Sequence, residues 1–228
     1  MKVSVIVPAW DRFALTVRCL SSIQQADPVH EVLLVDNGST DAVAQLDAAV
    51  RNDINLGFAV ACNQGAEAAS GDVLVFLNND TIVYPGWTRF TNLCGNADVG
   101  CAGPKLLYPS GEIQCAGVGV DFTRPAGLEA FNRLDDWTNV PSEVDAVTGA
   151  CLAIRADLFA ELGGFDTGYW NGYEDVDLCL SALAAGKANV YDPRSVITHL
   201  ESQSGAERWT KVRQNIERLR QKWSANGD

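Results

Sequence analysis

The stretch from Asp72 to Thr81 constrains this chain most. Val73-Leu74-Val75-Phe76-Leu77 is an unbroken apolar run that opens after Ser70-Gly71. It stops abruptly in two amides, a carboxylate and a hydroxyl, Asn78-Asn79-Asp80-Thr81. A strand with no polar alternation is buried on both faces, the condition of a strand inside a parallel sheet covered by helices. In open sheets of that kind, ligands gather just beyond the carboxyl ends of the strands. A carboxylate held there is placed to bind a divalent cation. Asn and Asp are also ordinary turn formers, so taken alone the stretch reads equally well as a strand followed by a polar turn.

Two upstream segments repeat the pattern. Residues 2–7 are β-branched and close at Pro8, followed by Ala9-Trp10-Asp11, and residues 31–35 run into Asp36. Between them, Phe13, Val17, Leu20 and Ile23 are spaced as on one helical face. Asn37-Gly38-Ser39-Thr40-Asp41 is a turn able to cap a helix expected at about 41–50. A short strand is expected near 50–54 and an Ala-rich helix over 57–70. Strand and helix alternate, which implies a parallel sheet with right-handed crossovers. No G-x-G-x-x-G follows the first strand, so the dinucleotide fingerprint is absent.

The second half is less regular. It predicts a helix at 85–94, a strand at 99–107 turning at 109–111 into 111–120, and a mobile loop without period over 124–143. A strand at 144–154, a short helix at 157–162 ended by Gly163-Gly164, and a helix at 174–185 follow. Short strands at 189–191 and 195–199 precede a closing helix at 207–223. There is no internal repeat or linker. The organisation expected is one α/β domain over 1–205, with halves at 1–104 and 105–205, and a basic amphipathic helix over 206–228.

The 228 residues suffice for one sizeable core. No run approaches the roughly 18 apolar residues of a membrane span, and the first residues do not resemble a signal peptide, so a cytoplasmic protein is expected. Seven scattered cysteines without a C-x-x-C pair point to reduced, buried thiols. A net charge of −12 with no basic stripe in the main body excludes nucleic-acid backbone binding. The terminal helix departs from this: Arg208, Lys211, Arg213, Arg218, Arg220 and Lys222 face one acid, Glu217. Its apolar stripe of Trp209, Val212, Ile216, Leu219 and Trp223 suits docking on the body or on a sister subunit in a homodimer. It equally suits peripheral contact with an anionic membrane, at the inner face of the cell membrane. An acidic body that takes a phosphorylated ligand needs local positive charge, and a divalent metal supplies it.

Two further clusters carry chemistry. Glu174-Asp175 opens a helix just after Gly168-Tyr169-Trp170-Asn171-Gly172-Tyr173, a glycine-punctuated aromatic loop. Aromatic rings pack on sugar faces, and a carboxylate at a pocket mouth can take a proton from an alcohol. Plain helix N-terminal charge would also explain the acids. His199 ends an apolar strand and is a candidate ligand, whereas His30 beside Pro28 has no such setting.

Together these motifs resemble glycosyltransferase family 2, the inverting, nucleotide-sugar-dependent enzymes of the GT-A fold. The similarity runs through Val-Ile-Val-Pro at 5–8, Val-Asp-Asn-Gly-Ser-Thr-Asp at 35–41, and Asn-Leu-Gly-Phe-Ala-x-Ala-x-Asn-x-Gly at 55–65. It continues through Leu-Asn-Asn-Asp-Thr at 77–81, Thr-Gly-Ala-Cys-Leu-Ala-Ile-Arg at 148–155, Gly-Gly-Phe-Asp at 163–166, Glu-Asp-Val-Asp-Leu-Cys at 174–179, and His199. It looks most like the rhamnosyltransferase-like branch, which builds bacterial surface polysaccharides.

The resemblance implies a Rossmann-like, mostly parallel central sheet flanked by helices, with a mixed acceptor-side half. It implies that Pro8, Ala9, Trp10, Asp11 and Asp36 hold the nucleoside, with Asn55, Gly57, Asn63, Asn78 and Asn79 along the donor pocket. Asp80 and His199 would hold Mn²⁺ or Mg²⁺, Asp175 would be the general base, and Trp170, Tyr173 and Glu174 would meet the acceptor. The partners implied are a nucleoside-diphosphate sugar (dTDP-rhamnose or a UDP-sugar) and a glycan or lipid-linked acceptor. The chain departs from the pattern at Asn78, where the metal motif usually has Asp, and at Pro8-Ala9-Trp10-Asp11. A nucleotidyltransferase would need a basic, glycine-rich first loop, which is lacking. A non-catalytic nucleotide-sugar or glycan-binding module would have no use for Asp175.

Overall fold

The computed structural model describes residues 1–123, 128–135, 138–200 and 211–223. One large sheet runs through the molecule. Its first half consists of β1 (Val3–Ala9), β2 (Glu31–Asn37), β3 (Val50–Asn52) and β4 (Val73–Leu77), in the order β3-β2-β1-β4 and all parallel. Helices α1 (Phe13–Gln25) and α2 (Phe58–Ala68) supply crossovers. Order reverses between β1 and β4, so a crevice opens beyond their carboxyl ends, as in other doubly wound sheets. Register places β1 beside the end of β4: Val5 pairs with Val75 and Ile6 with Phe76. The two longest pairings of the sheet, β1 with β2 and β6 (Val99–Leu107) with β12 (Ala188–His199), are parallel.

Antiparallel strands enter on the far side of β4. There β11 (Cys151–Arg155) pairs with β4 and with β6 (Val99–Leu107), and β12 (Ala188–His199) pairs parallel with β6. Short strands β5 (Thr81–Val83), β7 (Ile113–Cys115) and β10 (Ser142–Val144) attach to β12, β6 and β12. A separate two-stranded ribbon joins β8 (Val118–Asp121) to β9 (Glu129–Asn132). Helices α3 (Ala156–Glu161), α4 (Glu174–Ala184) and α5 (Val212–Trp223) complete the chain.

Several elements differ from the sequence reading, each for a tertiary reason. The helix expected at 41–50 is only a 3₁₀ turn, Ala42–Gln45, capped by the Asp41 carboxylate on the Val43 N–H. The segment at 85–94 is likewise 3₁₀, Trp87–Gly95. The stretch 144–154 is two strands, β10 and β11, in different parts of the sheet. Conversely, 189–191 and 195–199 are one strand, with a register shift between Asp192 and Val196. Residues 111–120 divide between β7 and β8. Within 124–143, expected to be a loop, residues 129–132 form β9, because pairing with β8 supplies the order that local period does not. The α1 face that is buried is Thr16, Cys19 and Ile23, and Phe13 is exposed. That face packs on the polar end of β4, where the Thr16 hydroxyl accepts from the Asn79 amide at 2.9 Å.

The core sits on both faces of β1, β4 and β11. Gly65 in α2 lies where a Cβ would collide with Ile6, which allows helix and sheet to approach closely. Phe76 meets Phe165 and Phe159 at ring-centroid distances of 4.7 and 5.0 Å. Such pairs add about 0.5–1.5 kcal/mol each beyond burial. This cluster brings the Gly163–Phe165 segment onto β4. All seven cysteines are free and buried, as expected; burial pushes the Cys19 thiol up to about 11 and the Cys94 and Cys115 thiols up to about 12.

The described part of the terminal helix, α5, lies on the body. Leu219 is fully buried and Trp223 packs on the core. Three of the basic residues read as suited to an anionic membrane are engaged by the protein itself. Arg218 pairs with Asp166, Lys222 with Asp177, and the Arg220 guanidinium donates to the Leu128 carbonyl. Trp209, Arg208, the polar run 201–204 and the boundary at 205/206 lie outside the described residues, as does 124–127 of the expected loop. Among the described residues, no helix is long and apolar enough to cross a membrane.

Candidate active site

The metal candidates are brought together by strand pairing. Antiparallel β5 and β12 place Thr81 opposite His199, and the Leu200 N–H donates to the Asp80 carbonyl at 2.9 Å. Residues 119 apart in sequence therefore meet, with His199 Nε2 at 3.1 Å from Asp80 Oδ1 and both side chains under a tenth exposed. The Asn78 amide lies 3.4 Å from the same Nε2. On its other side, His199 Nδ1 is 2.7 Å from Oε1 of Gln114, a buried residue of β7 whose Nε2 donates to the His199 carbonyl at 3.3 Å.

That second bond sets the Gln114 amide with its oxygen toward the ring, so Nδ1 carries a hydrogen and Nε2 is left facing Asp80. An imidazole nitrogen and a carboxylate oxygen 3.1 Å apart are placed so that both could ligate one cation. Orientation of the histidine through its outer nitrogen is characteristic of metal-ligating imidazoles. Among the described residues there is no group of three His, Cys, Asp or Glu side chains. A cation here would complete its shell with other oxygens. Gln114 had no signal in the sequence.

Asp175 is the second residue of α4. Its Oδ2 accepts the Gly149 N–H at 2.6 Å and its Oδ1 accepts the Val176 N–H at 2.9 Å. A Cβ on Gly149 would press against the Asp175 side chain, so glycine there makes room for the carboxylate. Asp175 and His199 line one cleft of about 310 Å³, together with Tyr173, Thr148, Asn171 and Gln114. Tyr173 thus reaches the cleft. Glu174 is buried and accepts the Gly172 N–H at 2.7 Å, tying the loop instead. Trp170 lines a separate hollow of about 340 Å³ against α5, under the Lys211 ammonium at 4.4 Å.

The residues assigned to the donor form the rim beyond β1 and β2. Pro8 and Ala9 are buried at the end of β1, and Trp10 is half-buried. Asp11 holds positive φ and its Oδ1 accepts from the Thr40 and Asp41 N–H groups, bracing the two strand-end loops together. Asp36 is buried, accepts the Ser39 N–H, and pairs with Arg51 of β3, a partner the sequence did not single out. Buried Asn37, also missed, is a hub: its amide donates to Asn55 Oδ1 and to the Gly57 carbonyl, and its oxygen accepts from Asn52 and the Leu56 N–H. Gly57 caps α2 at φ 88°, hard against the Trp170 carbonyl, where no side chain fits.

Two of the residues expected along the donor pocket make bonds within the protein. The Asn63 side chain donates to and accepts from the Phe165 backbone, both at 2.9 Å, and so joins the two halves. The Asn79 amide is turned to Thr16 in α1. Their place along the pocket is what the family resemblance implies, and a resemblance in sequence does not carry which way a side chain turns.

Residues 4–89 match the family model described as glycosyl transferase family 2. A relative in Myxococcus xanthus, the O-antigen biosynthesis protein RfbC, is 36% identical over 227 residues, covering 89% of this chain and 18% of that protein. An N-acetylglucosaminyl-diphospho-decaprenol L-rhamnosyltransferase of Mycobacterium tuberculosis is 29% identical, covering 82% of this chain and 72% of that one. The chain spans only 28% of a further relative, from Sinorhizobium fredii. Among solved structures, the mannosyltransferase PcManGT of Pyrobaculum calidifontis, in complex with GDP-Man and Mn²⁺, superposes with a TM-score of 0.71 at 20% identity, covering all of this chain and 64% of that one. GalNAc-T7 with UDP, GalNAc and Mn²⁺ superposes with a TM-score of 0.72 at 20% identity, covering 87% of this chain and 43% of that one. These superpositions fix the fold as GT-A, and within it residues 4–89 are similar to glycosyl transferase family 2.

Proposed function

We propose that the chain is an inverting glycosyltransferase. It moves a sugar from a nucleoside-diphosphate donor, dTDP-rhamnose or a UDP-sugar, to a hydroxyl of a glycan or lipid-linked acceptor in cell-surface polysaccharide synthesis. One observation carries the reading: a single cleft holds Asp175 and His199, with Asp80 against the histidine. The O-antigen and rhamnosyltransferase relatives support the class of product.

The rim beyond β1 and β2 binds the nucleoside, with Asp36 and Asp11 as its acceptors. Asp80 and His199 would hold Mn²⁺ or Mg²⁺, which would supply positive charge at the leaving diphosphate. Asp175, steadied by two backbone N–H groups, takes the proton of the acceptor hydroxyl as that oxygen attacks the anomeric carbon. The hydroxyl approaches from the face opposite the diphosphate, so one displacement inverts the configuration and needs no enzyme nucleophile. Tyr173 borders the acceptor's approach.

A thermal-shift panel of nucleoside diphosphates with and without Mn²⁺ tests the reading, followed by turnover of the matching sugar donor. The expected result is one preferred diphosphate whose stabilising shift depends on Mn²⁺, and donor turnover in its presence. Metal-dependent binding without turnover would indicate a binding module, and the catalytic proposal would be wrong.

A further inference from the structure

The aromatic loop that leads into α4 and its Asp175 is held from outside by the terminal helix. Asn215, near the middle of the first turns of α5, is 3% exposed. Its amide nitrogen donates to the Gly172 carbonyl at 2.9 Å and to the Asn171 carbonyl at 3.5 Å, and its oxygen accepts the Trp170 N–H at 3.5 Å. One side chain thus engages the backbone of three successive residues. The next two residues are Tyr173, at φ 76°, and Glu174, the first residue of α4. A tyrosine in the left-handed region is strained, and such a conformation persists only where its surroundings over-determine it.

The same helix fastens both flanks of the loop. The Arg218 guanidinium holds Asp166 at 2.8 Å on one side. On the other, Lys222 Nζ and Trp223 Nε1 donate to the buried Asp177 carboxylate at 2.7 and 2.8 Å, two residues beyond Asp175. Asp177 also accepts from the Tyr169 hydroxyl at 3.3 Å. Arg218, Asn215 and Lys222 therefore span the loop from Asp166 to Asp177.

We infer that α5 is a clasp on the catalytic loop, and that Asn215 is the positioning residue that sets the Gly172–Tyr173 turn and so the aim of Asp175. Asn215 does not line the cleft that holds Asp175 and His199. It acts through backbone, by fixing the turn from which α4 begins. Its bonds are to peptide groups, so the clasp works whatever side chains the loop carries. The inference rests on the reading of Asp175 as base, and the experiment separates the two.

The experiment compares wild type with Asn215→Leu, which keeps the branched side-chain outline but removes all three bonds, and with Asn215→Gln, which keeps the amide on a longer stem. Backbone amide exchange over 170–175 is followed together with transfer kinetics and Mn²⁺-dependent diphosphate binding. In Asn215→Leu, exchange in the loop should rise about tenfold. The kcat for transfer should fall at least tenfold, while diphosphate binding stays within twofold. Asn215→Gln should lie between the two and can be read if the leucine variant does not fold. Loop exchange at the wild-type rate in a folded variant would overturn the clasp. Faster exchange with unchanged kcat would overturn the positioning role. A wild-type protein that exchanges slowly in the loop yet turns over no donor would refute the base reading and leave the clasp standing.

Discussion

The donor side and the acceptor side are built at different ranges. On the donor side, partners lie close in sequence: Asp11 with Thr40, Asp36 with Arg51, Asn37 with Asn55. Successive parallel strands deliver these groups to one edge, so the rim follows from strand order. On the acceptor side the ties are long: Gln114 to His199, Asn63 to Phe165, Asn215 to Gly172. There, antiparallel pairing and a returning helix bring together groups that no local pattern connects. The donor rim is a property of the sheet, whereas the reaction centre is a property of the closed chain.

The largest test of that difference is Asp175→Asn. The transfer kcat should fall about 10²–10⁴-fold, the usual weight of a general base, while Mn²⁺-dependent diphosphate binding is unchanged. Near-wild-type transfer would remove the reaction centre from the acceptor side. Next comes Gln114→Leu, which leaves Asp80 and His199 in place but frees the imidazole. Loss of such an outer partner should weaken Mn²⁺ binding about 10–100-fold, read as the Mn²⁺ midpoint of activity and recovered at high Mn²⁺. An unmoved midpoint would make Gln114 a packing residue only.

Asn63→Leu breaks the tie between the halves. Leaving the Phe165 peptide unpaired in a part-buried place should cost about 1–3 kcal/mol in urea denaturation. A change within error would show that the aromatic cluster around Phe76 joins the halves without it. The smallest effect is on the donor side. The Ser4 hydroxyl and then the Ser70 N–H hold the Glu31 carboxyl below its ordinary value of 4.5. A depressed carboxylate contributes stability above its unfolded value and loses it as pH falls through the folded one. Stability should therefore drop below about pH 4.5, and Glu31→Gln should flatten that acid limb slightly. An identical limb in the variant would assign the acid loss elsewhere.

Much of the donor half was legible because its signals are local. An apolar run bounded by turn residues can only be a buried strand in a chain that alternates strands with amphipathic segments, and each strand must end somewhere polar. Asp36 and Asp80 stand at those ends because of that alternation. Asp175 was legible as the start of a helix after a glycine-rich loop. The resemblance to a known family joined these pieces and gave His199, already a candidate from its strand end, a partner in Asp80. Residues 129–132 and the split of 144–154 were not legible, since short strands take their order from partners rather than from their own period.

By itself, the sequence determined the parallel half of the sheet, the polar strand ends, the buried thiols and the carboxylate that opens α4. These depend on burial and on spacing within a few residues. Only the tertiary structure decided that Gln114 aims His199, that Asn63 ties to the Phe165 backbone, and that α5 turns Arg218 and Lys222 on Asp166 and Asp177. The direction of a side chain is set by what lies across from it. For these residues the partner lies between 45 and 102 positions away in the chain.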